Sequence, residues 1–156
     1  MRKHLRNRRH SAFGARWSVV HEYGFVVVSQ ELLDTLATML VNKRCLEVGA
    51  GSGFLSHFLS RGVDIQASDL GGTCASNYGL SKVWQRDHEG NSLSLLPGAF
   101  DAVVLCWPPY NGSFGADVLQ AMAPGQLLFF EGEGQGGCTA DDAFLMHSRT
   151  RVDGST

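Results

Sequence analysis

The sequence predicts an α/β domain built on an open, mostly parallel sheet with crossover helices. Three observations carry this. A buried apolar strand, Cys45 to Val48, runs into a glycine-rich turn and an amphipathic helix. A second strongly apolar strand lies at Phe100 to Cys106 and a third at Gln126 to Glu131. The segments between them carry helical spacing and glycine or Pro-Gly stops, which is the alternation expected of βαβ units.

The 156 residues suffice for one domain with a core, and 44% apolar with 18% charged residues is ordinary for a globular chain. Charge is uneven. Residues 1–16 hold Arg2, Lys3, Arg6, Arg8, Arg9 and Arg16 without an acid, against a net charge of −2 for the whole. This arm is either a solvated N-terminus or a contact for nucleic acid or another acidic partner. The body is expected over 17–150, with a frayed tail at 151–156. The four cysteines, Cys45, Cys74, Cys106 and Cys138, lack metal-ligand spacing. They read as reduced thiols of a cytoplasmic protein, with no metal. No apolar run reaches the roughly 20 residues that cross a bilayer, so no membrane role is expected.

In chain order, Trp17 to Val20 and Gly24 to Val28 read as extended segments or part of a lid. Ser29 caps a helix with Leu32, Leu33, Leu36, Met39 and Leu40 on one face. Then comes the strand-turn-helix. Leu46 and Val48 favour a buried strand; Gly49, Gly51 and Gly53 allow a sharp turn and close approach of a ligand. Phe54, Leu55, Phe58 and Leu59 share the helical face that packs on the sheet. Arg61-Gly62 stops the helix. Val63 to Asp69 is the second strand, and Asp69 stands twenty residues after Gly49, where an α/β nucleotide site places its ribose acid. Gly71 to Leu80 reads as an irregular crossover, and Lys82 to Asp87 as a third strand. After the fourth strand comes Trp107-Pro108-Pro109-Tyr110-Asn111, a loop stiffened by two prolines. A helix over Asp117 to Ala123 stops at Pro124-Gly125, and the fifth strand runs into the loop Gly132 to Cys138. Glu131 and Glu133, two apart on a strand, are expected to face one pocket or to be solvated. Thr139 and Asp142 suggest a capping box for a last helix through Phe144, Leu145 and His147.

The glycine spacing separates two cofactor classes. A dinucleotide fingerprint needs G-x-G-x-x-G, and here Phe54 stands where its third glycine belongs. That weighs against a nicotinamide-dependent oxidoreductase. The actual pattern, Glu47-x-Gly49-x-Gly51-x-Gly53, resembles motif I of the class I S-adenosylmethionine-dependent methyltransferases. The resemblance, over about residues 29–148, implies a Rossmann-like three-layer sandwich with S-adenosylmethionine as cofactor. It implies that Glu47 and the backbone of Gly49, Ala50, Gly51 and Gly53 hold the methionine end. It further implies that Asp69 holds the ribose, that Asp87 accepts from the adenine amino group, and that Cys106 ends the strand beside the cofactor.

Trp107 to Asn111 resembles the family's motif IV, Asn/Asp-Pro-Pro-Tyr/Phe, in which the first residue accepts from the target amine. Here that residue is Trp107, whose indole only donates. Adenine-N6 or glutamine methylation therefore does not follow. Trp107, Pro108, Pro109, Tyr110 and Asn111 are the candidate catalytic loop, either shaping an acceptor pocket or packing on neighbours. The acceptor itself stays open among a small molecule, a nucleic-acid base and a protein side chain. Family members usually add two strands after the fifth. The chain is expected to lack them and to expose its fifth strand, where a homodimer contact or cover by the N-terminal segment would shield the edge. The alternative function is a non-catalytic cofactor-binding or partner protein on a shortened scaffold.

Overall fold

The computed structural model describes residues 14–71, 82–134 and 137–146. Most of the basic arm, residues 72–80 of the expected crossover, His147 and the tail lie outside them. A helix covers 14–23 (α1), followed by α2 (Gln30–Met39), β1 (Arg44–Val48), α3 (Phe54–Leu59), β2 (Asp64–Asp69) and β3 (His88–Glu89). A 3-10 turn at Ser92–Leu95 leads to β4 (Ala102–Cys106), α4 (Phe114–Ala121), β5 (Leu127–Glu131) and a short helix over 142–146 (α5).

The five strands form one sheet in the order β3-β2-β1-β4-β5, and every pairing is parallel. This is the Rossmann-like α/β arrangement that the sequence predicts. Buried strands of such a sheet need apolar side chains on both faces. In β1, Leu46 and Val48 join Val103, Leu105, Val118 and Phe144 in one core. Cys45 turns the other way, with Ile65, Ala102, Val104, Leu36 and Leu55. Two cores on two faces, with α2 and α3 covering one and α4 and α5 the other, make three layers.

Four expectations are corrected. Residues 17–20 are helical, within α1. Its C-terminus is closed by the Gly24 amide donating to Val20 O at 2.9 Å, with Gly24 at φ +95°. Burial of Val20 and docking of Tyr23 outweigh the β preference of Val19-Val20.

Lys82 to Asp87 is not a strand. The Trp84 amide is drawn to Ser52 O at 2.7 Å and its indole N–H to Glu22 O at 3.1 Å, so this segment braces the glycine turn. Only His88 and Glu89 pair with β2. The cap of α5 is Asp141, which accepts the Phe144 amide at 2.9 Å; Thr139 instead bridges to Pro109. Finally, α4 starts at Phe114, three residues earlier than its periodicity suggests. β5 is an edge strand among the described residues, as expected. No helix among them is long and apolar enough to cross a membrane.

Candidate functional site

The carboxyl ends of β1, β2 and β4 open on one cavity of about 600 Å³, within the usual range of small-molecule sites. The strand order explains its position. Neighbours β2 and β4 flank β1 on opposite sides, so the loops after them part around the glycine turn.

The turn is held from two sides. The Ala50 amide donates to Ser68 O at 3.0 Å and the Gly51 amide to Asp69 Oδ2 at 2.8 Å. Asp69 Oδ1 accepts from Gly71 N at 3.2 Å. Gly49 and Gly51 both adopt left-handed backbone, φ +67° and +57°. A Cβ on Gly49 would come within 3.1 Å of the Phe114 ring. Gly49, Ala50, Gly51, Asp69 and Glu47 all line the cavity.

Glu47 is buried, and its Oε2 accepts from the Ser56 hydroxyl at 2.5 Å and the Ser56 amide at 3.1 Å. Burial pushes its carboxyl up to about 7; the Ser56 bonds oppose the rise and the nearby Asp69 charge adds to it. Cys106, also in the wall, is held well above the usual thiol range by burial, with Glu47 and Glu131 reinforcing the effect. It stands there as a neutral thiol.

The Pro-Pro loop forms the opposite wall. Trp107, Pro108, Pro109, Tyr110 and Asn111 all border the cavity. Trp107 has φ +49°, a conformation that an indole-bearing residue rarely adopts. Its amide donates to Glu131 O at 2.8 Å. Its indole N–H is turned into the protein near the Glu131 carboxylate, close enough to oppose the rise that burial gives that carboxyl. Neither Trp107 Nε1 nor Glu131 Oε2 completes a hydrogen bond.

Two candidates stand apart. Gly53 is not in the cavity wall; a Cβ there would sit 1.9 Å from the Gln85 carbonyl oxygen, so its role is close packing. Asp87 is also outside the wall. Its Oδ2 accepts from Ala67 N at 2.8 Å and Gln85 Nε2 at 2.7 Å, fixing the loop against β2. Nor do Glu131 and Glu133 share the cavity. Glu133 accepts the Cys138 amide at 2.6 Å and thiol at 2.9 Å, which lowers its carboxyl and raises the thiol.

Sequence reasoning missed Arg16, Phe25, Asn91, Ser92 and Phe114 as lining residues. Tyr23 both borders the cavity and packs, its ring centroid 4.8 Å from that of Phe54. Phe25 follows the glycine that ends α1, the one signal that this aromatic leaves a helix at a fixed corner. Among the described residues no group of three or more His, Cys, Asp or Glu is placed to hold a metal ion.

Scans against protein-family models and curated proteins return no match. Solved structures do resemble the chain at low identity. The [4+2]-cyclase SpnF is 22% identical at TM-score 0.49, covering 78% of this chain and 55% of its own. The glycopeptide N-methyltransferase MtfA, complexed with S-adenosylhomocysteine, is 21% identical at TM-score 0.45, covering 68% and 53%. The O-methyltransferase TomG from Streptomyces achromogenes, in complex with S-adenosylmethionine, is 19% identical at TM-score 0.42, covering 81% and 68%. The chain thus spans little more than half the length of the first two. By its own strand order and glycine turn, it has a Rossmann-like α/β fold.

Proposed function

We propose that the cavity binds S-adenosylmethionine and that the protein transfers its methyl group to an acceptor bound beside it. The observation that carries this reading is the meeting of Glu47 and Asp69 on one cavity wall, with the backbone of Gly49 to Gly51 between them. The donor and acceptor set fits that cofactor. Glu47 and Asp69 offer carboxylate acceptors for an ammonium and for ribose hydroxyls, and Arg16 offers a cation for a carboxylate. Gly49 leaves room that a side chain would fill against Phe114. When bound, the cofactor supplies an electrophilic sulfonium methyl. The chain's own residues supply position: Asp69 fixes the Gly51 amide, Ser56 fixes Glu47, and the proline-stiffened loop fixes the opposite wall.

A second reading is a non-catalytic protein that binds the cofactor, or a partner, without transferring a methyl group. Trp107 favours it, because the residue at the loop's accepting position turns its only polar atom into the protein. Calorimetry with S-adenosylmethionine and S-adenosylhomocysteine tests the first half of the proposal. Micromolar binding is expected, and no binding by either overturns the cofactor in both readings. Transfer of a labelled methyl group to an acceptor pool then separates them.

A further inference from the structure

The glycine turn has a further support outside the cavity wall. Gly49, Gly51 and Gly53 have left-handed backbone at φ +67°, +57° and +69°. Glycine brings no side chain to hold such a shape, so the shape has to come from partners. The Gly51 amide is held by Asp69, which lines the cavity. The Gly51 carbonyl is held by Arg86, which does not line it; Arg86 Nη2 donates at 3.0 Å. The amide nitrogen and the carbonyl of one residue belong to successive peptide planes. Two side chains of opposite charge therefore fix both planes that meet at Gly51.

The Arg86 guanidinium is itself placed. The residues before it, Trp84 and Gln85, reach Ser52 O through their amides at 2.7 and 3.4 Å. The Arg86 side chain is only 15% exposed, and Nη1 stands 3.8 Å from Glu89 Oε2. Glu89 packs over Gly71, where a Cβ would fall 2.4 Å from its carboxyl carbon. Gly71 in turn donates to the second oxygen of Asp69. The contacts close into a ring, from Asp69 through Gly51, Arg86, Glu89 and Gly71 back to Asp69. A planar guanidinium reaches two partners of this ring at once, which a point-like ammonium does not. A hydrogen bond from a largely buried charge is also stronger than a neutral one.

We infer that Arg86 is a positioning residue for the glycine turn, holding Gly51 from behind so that the turn is already shaped when the cofactor arrives. A pre-shaped turn spares the ligand the cost of ordering it. The inference rests on the cofactor reading for its effect on binding, and on the ring of contacts alone for its effect on the turn.

The test compares the unaltered chain with three variants. Arg86→Met keeps the buried stem without its donors, and Arg86→Lys keeps a cationic donor. Arg86→Ala is measured with and without millimolar ethylguanidinium, which replaces the missing group. Calorimetry reads S-adenosylhomocysteine affinity. Hydrogen exchange without the ligand reads the Gly51 and Gly53 amides against those of Val103 and Val104 in β4. Arg86→Met and Arg86→Ala should each weaken S-adenosylhomocysteine about tenfold, the loss of one hydrogen bond from a charged group. Arg86→Lys and ethylguanidinium should each recover most of it. The Gly51 and Gly53 amides should exchange about tenfold faster in the Met and Ala variants, while the β4 amides keep their rate and so report that the variants fold.

S-Adenosylhomocysteine affinity untouched in both donor-free variants overturns the role. A loss that neither Arg86→Lys nor ethylguanidinium recovers also overturns it, because Arg86 would then only fill space. So does exchange that quickens equally in β4, because Arg86 would then serve the whole fold. If the unaltered chain does not bind S-adenosylhomocysteine, the exchange decides. A turn that loosens in Arg86→Met and recovers in Arg86→Lys keeps Arg86 in its role and removes the cofactor reading; a turn that does not loosen overturns both.

Discussion

The Asp69 carboxylate accepts the Gly51 amide at 2.8 Å through one oxygen and the Gly71 amide at 3.2 Å through the other. One side chain therefore ties the turn after β1 to the chain leaving β2. Both glycines have positive φ, +57° and +78°, so the carboxylate holds backbone that would otherwise be free to relax.

Asp69→Ala removes this tie and an acceptor for the cofactor together. A charged hydrogen bond is worth about 1.5–3 kcal/mol, so S-adenosylhomocysteine affinity should fall by about tenfold or more. Urea unfolding should show a loss of about 1–2 kcal/mol. Calorimetric affinity equal to that of the unaltered protein would remove Asp69 from the site.

Glu47 predicts a pH dependence of stability. Its folded carboxyl titrates at about 7, above the ordinary value of 4.5, because burial disfavours the charge. Below about pH 4.5 both folded and unfolded forms are protonated and the contribution is fully present. As pH rises toward 7 the unfolded form ionises first, so stability falls, and it levels off above the folded value. The fall is at most on the order of 3 kcal/mol. Glu47→Gln should abolish this component while keeping an oxygen for Ser56. Urea midpoints from pH 4 to 8 that run parallel for the two proteins would contradict the assignment.

Gly53 and Gly125 both have positive φ, +69° and +90°, yet they differ in surroundings. A Cβ on Gly53 would lie 1.9 Å from the Gln85 carbonyl oxygen, and one on Gly125 meets nothing within 4 Å. Gly125→Ala should lose only the left-handed strain, about 1–2 kcal/mol. Gly53→Ala should lose about 3 kcal/mol or more, since the backbone of two segments must separate. Thermal or urea unfolding compares the pair; equal losses would mean that the 85 region yields easily.

β5 predicts association. Its Leu127 amide donates to Asp101 O at 3.0 Å, so strand alternation turns the Leu128 and Phe130 amides away from β4. Such an edge pairs readily with another strand. Sedimentation is expected to give twice the 16.9 kDa chain mass, with these two amides protected from hydrogen exchange. A monomer in which both exchange rapidly rejects the pairing.

Much of the frame was legible because it is written locally. The apolar runs of β1 and β4, the three glycines between β1 and α3, and the stops at Gly62 and Pro124-Gly125 each act over a few residues. From them follow the parallel sheet and the placement of Glu47, Gly49, Ala50, Gly51, Asp69 and the Pro-Pro loop around one cavity. The segment at 82–87 misled because its strand-like residues answer to partners far away in sequence. Ser52 and Glu22 take the Trp84 amide and indole protons, so Trp84 does not pair with β2.

Sequence by itself determined the fold class, the glycine turn and the two acids beside it, because period, glycine spacing and strand length are short-range properties of the chain. Tertiary structure alone decided that Asp87 braces a loop, that Gly53 makes room for Gln85, and that Phe25 stands opposite Trp107. Those outcomes depend on which distant segments meet, and hydrogen-bond competition and packing settle that only once the sheet has brought them together.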